Sequence, residues 1–165
     1  MAQVKLRPTG EDEYRSWYEE AVAEYAQDHA ATGYLTPDEA REMAAKEFQG
    51  LLPEGLNSKG QHLHTIADAE TGACVGMIWF AERGAPQVPH AFIYDVVVWE
   101  RHRGKGYGKA AMLAVEQEVQ ALGLRRIALH VFGENPSAIG LYERTGYRTT
   151  NRLMAWDEMP REGWA

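Results

Sequence analysis

Apolar and polar positions repeat with two different periods along this chain, and the switches between them divide it into elements. Val4 to Arg7 alternates and reads as a short strand, ended by Pro8 and Gly10. Glu11 to Ala31 repeats at helical spacing. Its first turn carries Glu11, Asp12 and Glu13, as the helix dipole prefers, and its aromatics Tyr14, Trp17, Tyr18 and Tyr25 fall at helical intervals. They are expected in the core, with a substrate-pocket wall as their other use. Beyond Gly33, Thr36-Pro37-Asp38-Glu39 forms a capping box, and a second helix runs to about Leu51. Pro53 to Gly60 is a loop. His62 to Asp68 and Ala73 to Ala81 alternate on either side of Glu70-Thr71-Gly72 and predict a hairpin, with Val75, Met77 and Trp79 on one face. After a loop from Gly84 to Pro89, His90 to Val98 is apolar almost throughout, the pattern of a strand buried on both faces.

The second half alternates strand and helix. Gly106 to Leu122 is an amphipathic helix whose apolar face is Ala110, Ala111, Leu113, Ala114, Val115, Val119 and Leu122, with Gly123 at its stop. Ile127 to Phe132 predicts a strand. Asn135-Pro136 opens a fourth helix that ends at Gly146. Tyr147 to Asp157 returns as a final strand or pair, and Glu158 to Ala165 is a tail. The order β-α-α-β-β-β-α-β-α-β predicts an α+β fold: a mixed, mostly antiparallel central sheet flanked by helices. The strand–helix–strand units of the second half require at least one parallel pairing.

Composition narrows this little. The 165 residues suit a single domain spanning 1–165. Met1 to Gly10 is polar, and no apolar run matches a membrane span, so a soluble cytoplasmic protein with no membrane partner is expected. The single cysteine, Cys74, has no internal disulfide partner, and no zinc-ligand spacing is present. The net charge of -7 argues against a nucleic-acid partner. Against that acidic background, Arg101, Arg103, Lys105 and Lys109 cluster where a helix begins, with no acid after Glu100. Cations oppose the helix dipole there, so the cluster is unfavourable unless an anion joins it.

The chemistry concentrates between Asp95 and Lys109. The run Val96, Val97, Val98 ends abruptly and leads into Arg103-Gly104-Lys105-Gly106-Tyr107-Gly108-Lys109. Glycines so dense cost chain entropy and are justified where a ligand approaches the backbone closely. A strand, a glycine loop and a helix N-terminus present backbone N–H groups to phosphates. The spacing fails the Walker A pattern, and Ala110 stands where a magnesium-binding hydroxyl belongs. The loop also lacks the dinucleotide fingerprint, and an antiparallel meander precedes it. Downstream, Asn135 and Tyr142 lie two helical turns apart and can share one side of the fourth helix. Capping and core packing are the bland readings of these two.

Taken together, Val-Val-Val-x-x-x-x-Arg-Gly-Lys-Gly-Tyr-Gly-Lys followed by Asn-Pro-Ser-Ala-x-x-Leu-Tyr-Glu-Arg-x-Gly-Tyr closely resembles the GNAT superfamily of acyl-CoA-dependent N-acetyltransferases, across roughly Ile93 to Thr149. The Phe-Ile-Tyr-Asp lead-in and the Leu-His-Val-Phe strand resemble a group of uncharacterised bacterial members. The family often has proline where Glu100 stands and an acid where Arg101 stands; neither departure touches the glycine loop. The resemblance implies transfer of an acetyl group from acetyl-CoA to a primary amine of a small molecule or peptide, by direct attack in a ternary complex and without a metal. By the same resemblance, Val96 to Val98 would pair with the pantetheine arm, and Arg103 to Gly108 with Lys109 would wrap the pyrophosphate. Asn135 would contact the pantetheine or diphosphate, and Tyr142 would lie near the thioester sulfur.

Tyr142 is the expected general acid, and a backbone N–H near Val97 or Val98 the expected oxyanion donor. The base stays open among Asp95, Glu82, His90, His62, His64 and water. His62 and His64 have no evident third metal ligand and read as ordinary strand residues. Asp28, Asp95 and Glu82 are candidates to line a pocket for a cationic amine. The alternative from another class is a non-catalytic acyl-CoA-binding sensor on the same fold. Dimerisation is common in the family, and no stretch here proves it.

Overall fold

The computed structural model describes residues 1–156. Its elements are β1 (Val4–Pro8), α1 (Glu11–Ala31), α2 (Pro37–Leu51), β2 (Gln61–Asp68), β3 (Cys74–Arg83), β4 (His90–Val98), α3 (Tyr107–Ala121), β5 (Ile127–Leu129) and α4 (Pro136–Arg144). The strands form one sheet in chain order. β1 to β4 are antiparallel neighbours, and β5 runs parallel to β4 after the crossover through α3. The mixed α+β fold and the expected order therefore hold as far as α4. The predicted final strand is not formed over residues 147–156, and its last residue, with the tail from Glu158, lies outside the described residues.

Two cores form, one on each face of the sheet. On one face Ile66, Val75, Ile78, Phe80, Ala91 and Ile93 pack with Ala111, Met112, Val115 and Val119 of α3, and Leu141 and Tyr142 of α4 join them. On the other, Met77, Trp79 and Leu63 pack with Trp17 and Ala21 of α1 and Phe48 of α2. The α1 aromatics are thus core residues, as their spacing suggests. Two expected faces need correction. Met112 is fully buried, whereas Leu113 and Leu122 are exposed, because the buried stripe of α3 runs Ala111, Met112, Val115, Val119. Val75 parts from Met77 and Trp79, because Ile66 pairs with Gly76 while Ala67 pairs with Cys74, so an extra β3 residue turns Val75 toward α3.

β4 is not buried on both faces. Only Ala91 and Ile93 are fully buried, and everything from Tyr94 to Val98 keeps some exposure. The cause lies on either side of the strand. Opposite β3, Trp79 pairs with Asp95 and Phe80 with Ile93, which leaves Tyr94 as a bulge. Opposite β5, pairing ends at Ile93 with Leu129. β5 stops there rather than at Phe132. The following loop swings to α1, where the Phe132 ring packs edge-on against His29 at 5.0 Å and lies 6.5 Å from Tyr25. Past Ile93, β4 has no strand partner on that side among the described residues, which leaves its edge unpaired along the valine run.

Candidate active site

One edge of β4 is therefore open. The Trp99 N–H donates to the Val75 carbonyl, so Trp99 faces β3. Backbone groups alternate along an antiparallel strand, which turns Val97 to β3 and turns Val96 and Val98 to the open side. Of the two expected oxyanion donors, Val97 is therefore committed to the ladder and Val98 faces the open side; the Val96 N–H on that side donates to the Asp95 carboxylate. The Val98 carbonyl on that side accepts from Arg103 Nε at 3.0 Å, which ties the basic loop back to the strand end.

The loop itself is built around two left-handed glycines, Gly104 (φ 73°) and Gly106 (φ 89°). Both need the freedom that glycine alone has without strain. Gly106 is the residue ahead of α3 and supplies no side-chain cap, and no acid stands in the first turn. The first N–H groups of α3 (Tyr107, Gly108 and Lys109) are thus left for an anion, as helix N-termini leave them. Gly108 serves packing instead. A Cβ there would lie 3.2 Å from Leu141 Cδ2, so its bareness lets α4 close onto α3.

The side chains of the loop divide likewise. Lys105 Nζ donates to the Arg101 carbonyl at 3.0 Å. The Tyr107 hydroxyl donates to Asp68 Oδ2 at 2.7 Å and pins α3 to the β2–β3 turn, so that ring is structural and only its backbone faces the loop. Lys109 is exposed. Asn135 caps α4, its side-chain oxygen accepting from the Ala138 N–H at 3.1 Å.

Tyr142 lies in the α4 flank of the α3 core. Burial, and secondarily the charge of Asp95, pushes its phenol up to about 12, so it keeps its proton through the neutral range. Asp95 sits where β4 leaves β5. Its Oδ2 accepts from Trp17 Nε1 at 2.7 Å. Burial pushes its carboxyl up to about 6, the indole N–H and the Val96 N–H oppose that rise, and Glu24 and Asp28 of α1 add to it.

The structure sorts the other candidate bases away from this open edge. His62 stacks flat on Phe80 at 4.6 Å, and His64 meets the same ring edge-on, both on the α3 face of β2. Glu82 faces His62 at 3.9 Å, and His90 pairs with Arg83 at the far end of β4. A cavity of about 540 Å³ opens between α1 and the end of β4, lined by Glu20 and Glu24 on one side and Val97, Trp99, Arg101 and Arg103 on the other. None of the acids expected to line a pocket for a cationic amine, Asp28, Asp95 and Glu82, lines this cavity; Asp28 instead lies near enough to Asp95 to act on its charge. Sequence reasoning missed Glu20, Glu24 and the polar use of Trp17; helical spacing from Trp17 along α1 was the available signal.

Comparison with known proteins joins these features. The model of the acetyltransferase (GNAT) family matches residues 11–147. The chain belongs to the GNAT acetyltransferase family. Among GNAT relatives, the Bacillus subtilis protein YycN, described as an uncharacterised N-acetyltransferase, is 37% identical over 92% of this chain and 97% of its own. YdgE of the same organism, described likewise, is 32% identical over 90% of this chain and 94% of its own. The crystal structure of YycN superposes with a TM-score of 0.88 at 33% identity, covering 96% of this chain and all of that one. This GNAT chain also has no helix, among the described residues, that is long and apolar enough to cross a membrane.

Proposed function

We propose that this domain transfers an acetyl group from acetyl-CoA to an amine. The observation that carries the reading is the open edge of β4 at Val96 and Val98, running directly into an uncapped helix N-terminus through two left-handed glycines. The residues fit the coenzyme. An extended arm would pair with backbone groups on the open side of β4, such as the Val96 carbonyl, as an added strand. A diphosphate would take the first N–H groups of α3 together with Arg103 and Lys109. Among the described residues no group of histidine, cysteine and acidic side chains gathers as for a metal ion.

When bound, acetyl-CoA supplies an acetyl group already activated as a thioester. The chain's own residues do the rest. The Val98 N–H, on the open side of β4, receives the charge that grows on the reacting carbonyl oxygen. The phenol of Tyr142, protonated at neutral pH, supplies the proton that the departing sulfur needs. The acceptor enters from the α1 side, through the cavity where Glu20 and Glu24 stand opposite Arg101 and Arg103.

The test is release of free thiol from acetyl-CoA across polyamines, aminoglycosides, amino acids and peptide N-termini. Release with at least one of them is the expected result. Tight coenzyme binding without release from any would assign the fold to the sensor reading instead. Tyr142→Phe should lower turnover by roughly 10²-fold with coenzyme affinity kept; normal turnover with chemistry rate-limiting would remove Tyr142 from the mechanism.

A further inference from the structure

We propose that the acceptor is a diamino carboxylic acid. One of its amines takes the acetyl group, while its second, charged amine and its carboxylate hold it in the cavity between α1 and the end of β4. The inference rests on the acetyltransferase reading and adds to it the chemical class of the substrate and the residues that select it.

Glu20 and Glu24 line the cavity from α1, one helical turn apart and so on one stripe of the helix. Two carboxylates so placed repel each other unless a cation joins them. The opposite wall is the turn that follows β4, with Glu100, Arg101 and Arg103. Arg103 is engaged: its Nε donates to the Val98 carbonyl at 3.0 Å, and in the acetyltransferase reading its charge goes to the diphosphate. Arg101 is held differently. Its Nε donates to His102 Nε2 at 3.0 Å, its carbonyl accepts from Lys105 Nζ at 3.0 Å, and the His102 ring stands edge-on to Tyr107 at 6.0 Å. These contacts fix the root of the side chain and leave its terminal nitrogens for a carboxylate, which a guanidinium takes in a two-pronged grip. Among the described residues neither arginine is ion-paired to a carboxylate, and neither Glu20 nor Glu24 to a cation. Opposite charges thus face each other across a cavity of about 540 Å³ without meeting, and the space between them suits a molecule that carries both.

Between the walls the lining is apolar. Val97 and Trp99 supply it, and the Trp99 indole N–H is already given to Cys74 Sγ at 3.4 Å, so an aliphatic chain fits against the ring. With Arg103 engaged, Glu20, Glu24 and Glu100 outnumber Arg101, a balance that favours an acceptor with more amines than carboxylates. The cavity also reaches the reacting end of the site. Val97 lines it, the Val98 N–H beside it faces the open edge, and Glu24 is near enough to Asp95 on β4 to act on its charge. A molecule anchored at Glu20 and Arg101 therefore points its far amine along β4 toward the thioester. There the neutral amine nitrogen bonds to the acetyl carbon as the carbon–sulfur bond breaks. The nitrogen gives up a proton to solvent, the sulfur takes one from Tyr142, and solvent restores the phenol.

The experiment measures thiol release with L-lysine, with cadaverine, which lacks the carboxylate, and with ε-aminohexanoate, which lacks the second amine. L-ornithine, putrescine and δ-aminopentanoate form the same set one methylene shorter. In at least one set the diamino acid should exceed both of its partners in kcat/KM by roughly tenfold or more. Arg101→Gln should bring the ratio of diamino acid to diamine to within about threefold of unity and keep the ratio of diamino acid to amino acid. Glu20→Gln with Glu24→Gln should do the reverse. All three side chains are exposed, so these variants should fold as the wild type does. Calorimetry should show coenzyme affinity within about threefold in each variant. Diamines as good as the diamino acids, a variant that lowers every acceptor alike, or coenzyme affinity lost in Arg101→Gln overturns the proposal while acetyl transfer stands. So does thiol release with other amines but with none of these six. Absence of thiol release from the wild type with every amine overturns both.

Discussion

At the scale of single residues, two carboxylates carry opposite relations to folding. Glu13 joins α1 to the sheet: both its oxygens take the Arg7 guanidinium, at 2.6 and 2.9 Å, and it also accepts from the buried Thr65 hydroxyl at 2.7 Å. The Arg7 hydrogen bonds, with help from Thr65 and Gly10, hold its carboxyl down to about 2. Its folded value lies below the unfolded one of 4.5, so its stabilisation is complete above that pH and is lost as pH falls toward 2. Glu13→Gln should therefore cost about 1–2 kcal/mol at pH 7, after allowance for solvent around the partly exposed Arg7, with the difference vanishing near pH 2 in urea melts. Asp95 runs the other way. Its folded value of about 6 lies above the ordinary 3.8, so its cost is full above pH 6 and is relieved as pH falls through that window. A carboxylate that weakens the fold at neutral pH, yet sits beside an unpaired strand edge, is placed as reactive groups are.

Elements were legible where local chemistry alone decides them. The α2 capping box is formed as expected, with the Glu39 N–H donating to Thr36 Oγ1 and the Thr36 N–H donating to Glu39 Oε2. The hairpin of β2 and β3 and the glycine loop were equally readable, because turns and caps are written in a few adjacent residues. The faces of β3 and β4 were not, because a bulge is set by pairing across strands and shifts the alternation without leaving a mark in either strand alone. The end of β5 was hidden for a similar reason: His130, Val131 and Phe132 alternate well enough for a strand, but α1 claims the Phe132 ring. In the candidate site, the loop glycines were visible, whereas the Trp17 contact to Asp95 joins residues far apart in the chain. What the loop backbone does can be separated from what its side chains do. Gly106→Ala forces an L residue to φ 89° in the loop and should weaken coenzyme binding about tenfold or more in calorimetry. Tyr107→Phe should leave that affinity within about twofold, because its hydroxyl serves Asp68.

Seen whole, the molecule is one sheet with a helical layer on each face, and β3 feeds both cores in alternation: Ile78 and Phe80 to α3, Met77 and Trp79 to α1 and α2. Neither core can come apart while the other keeps its strand. Tryptophan emission reports chiefly on the α1 and α2 side, where Trp17 and Trp79 are buried, and far-ultraviolet dichroism reports on all helices. The two denaturant transitions should coincide in midpoint and slope; separate midpoints would show that the layers unfold independently.

The Tyr94 bulge has a further consequence, one of chain length. The nine residues of β4 meet partners on β3 at every position except Tyr94. Every other pairing on either side of it would be the same in a strand one residue shorter, with Ile93 still opposite Phe80 and Asp95 still opposite Trp79. That surplus of length falls where pairing on the other side of the strand, with β5, ends at Ile93. A single codon, placed where the ladder with β3 absorbs it without shifting its neighbours, stands at the point where the other side of the strand loses its partner.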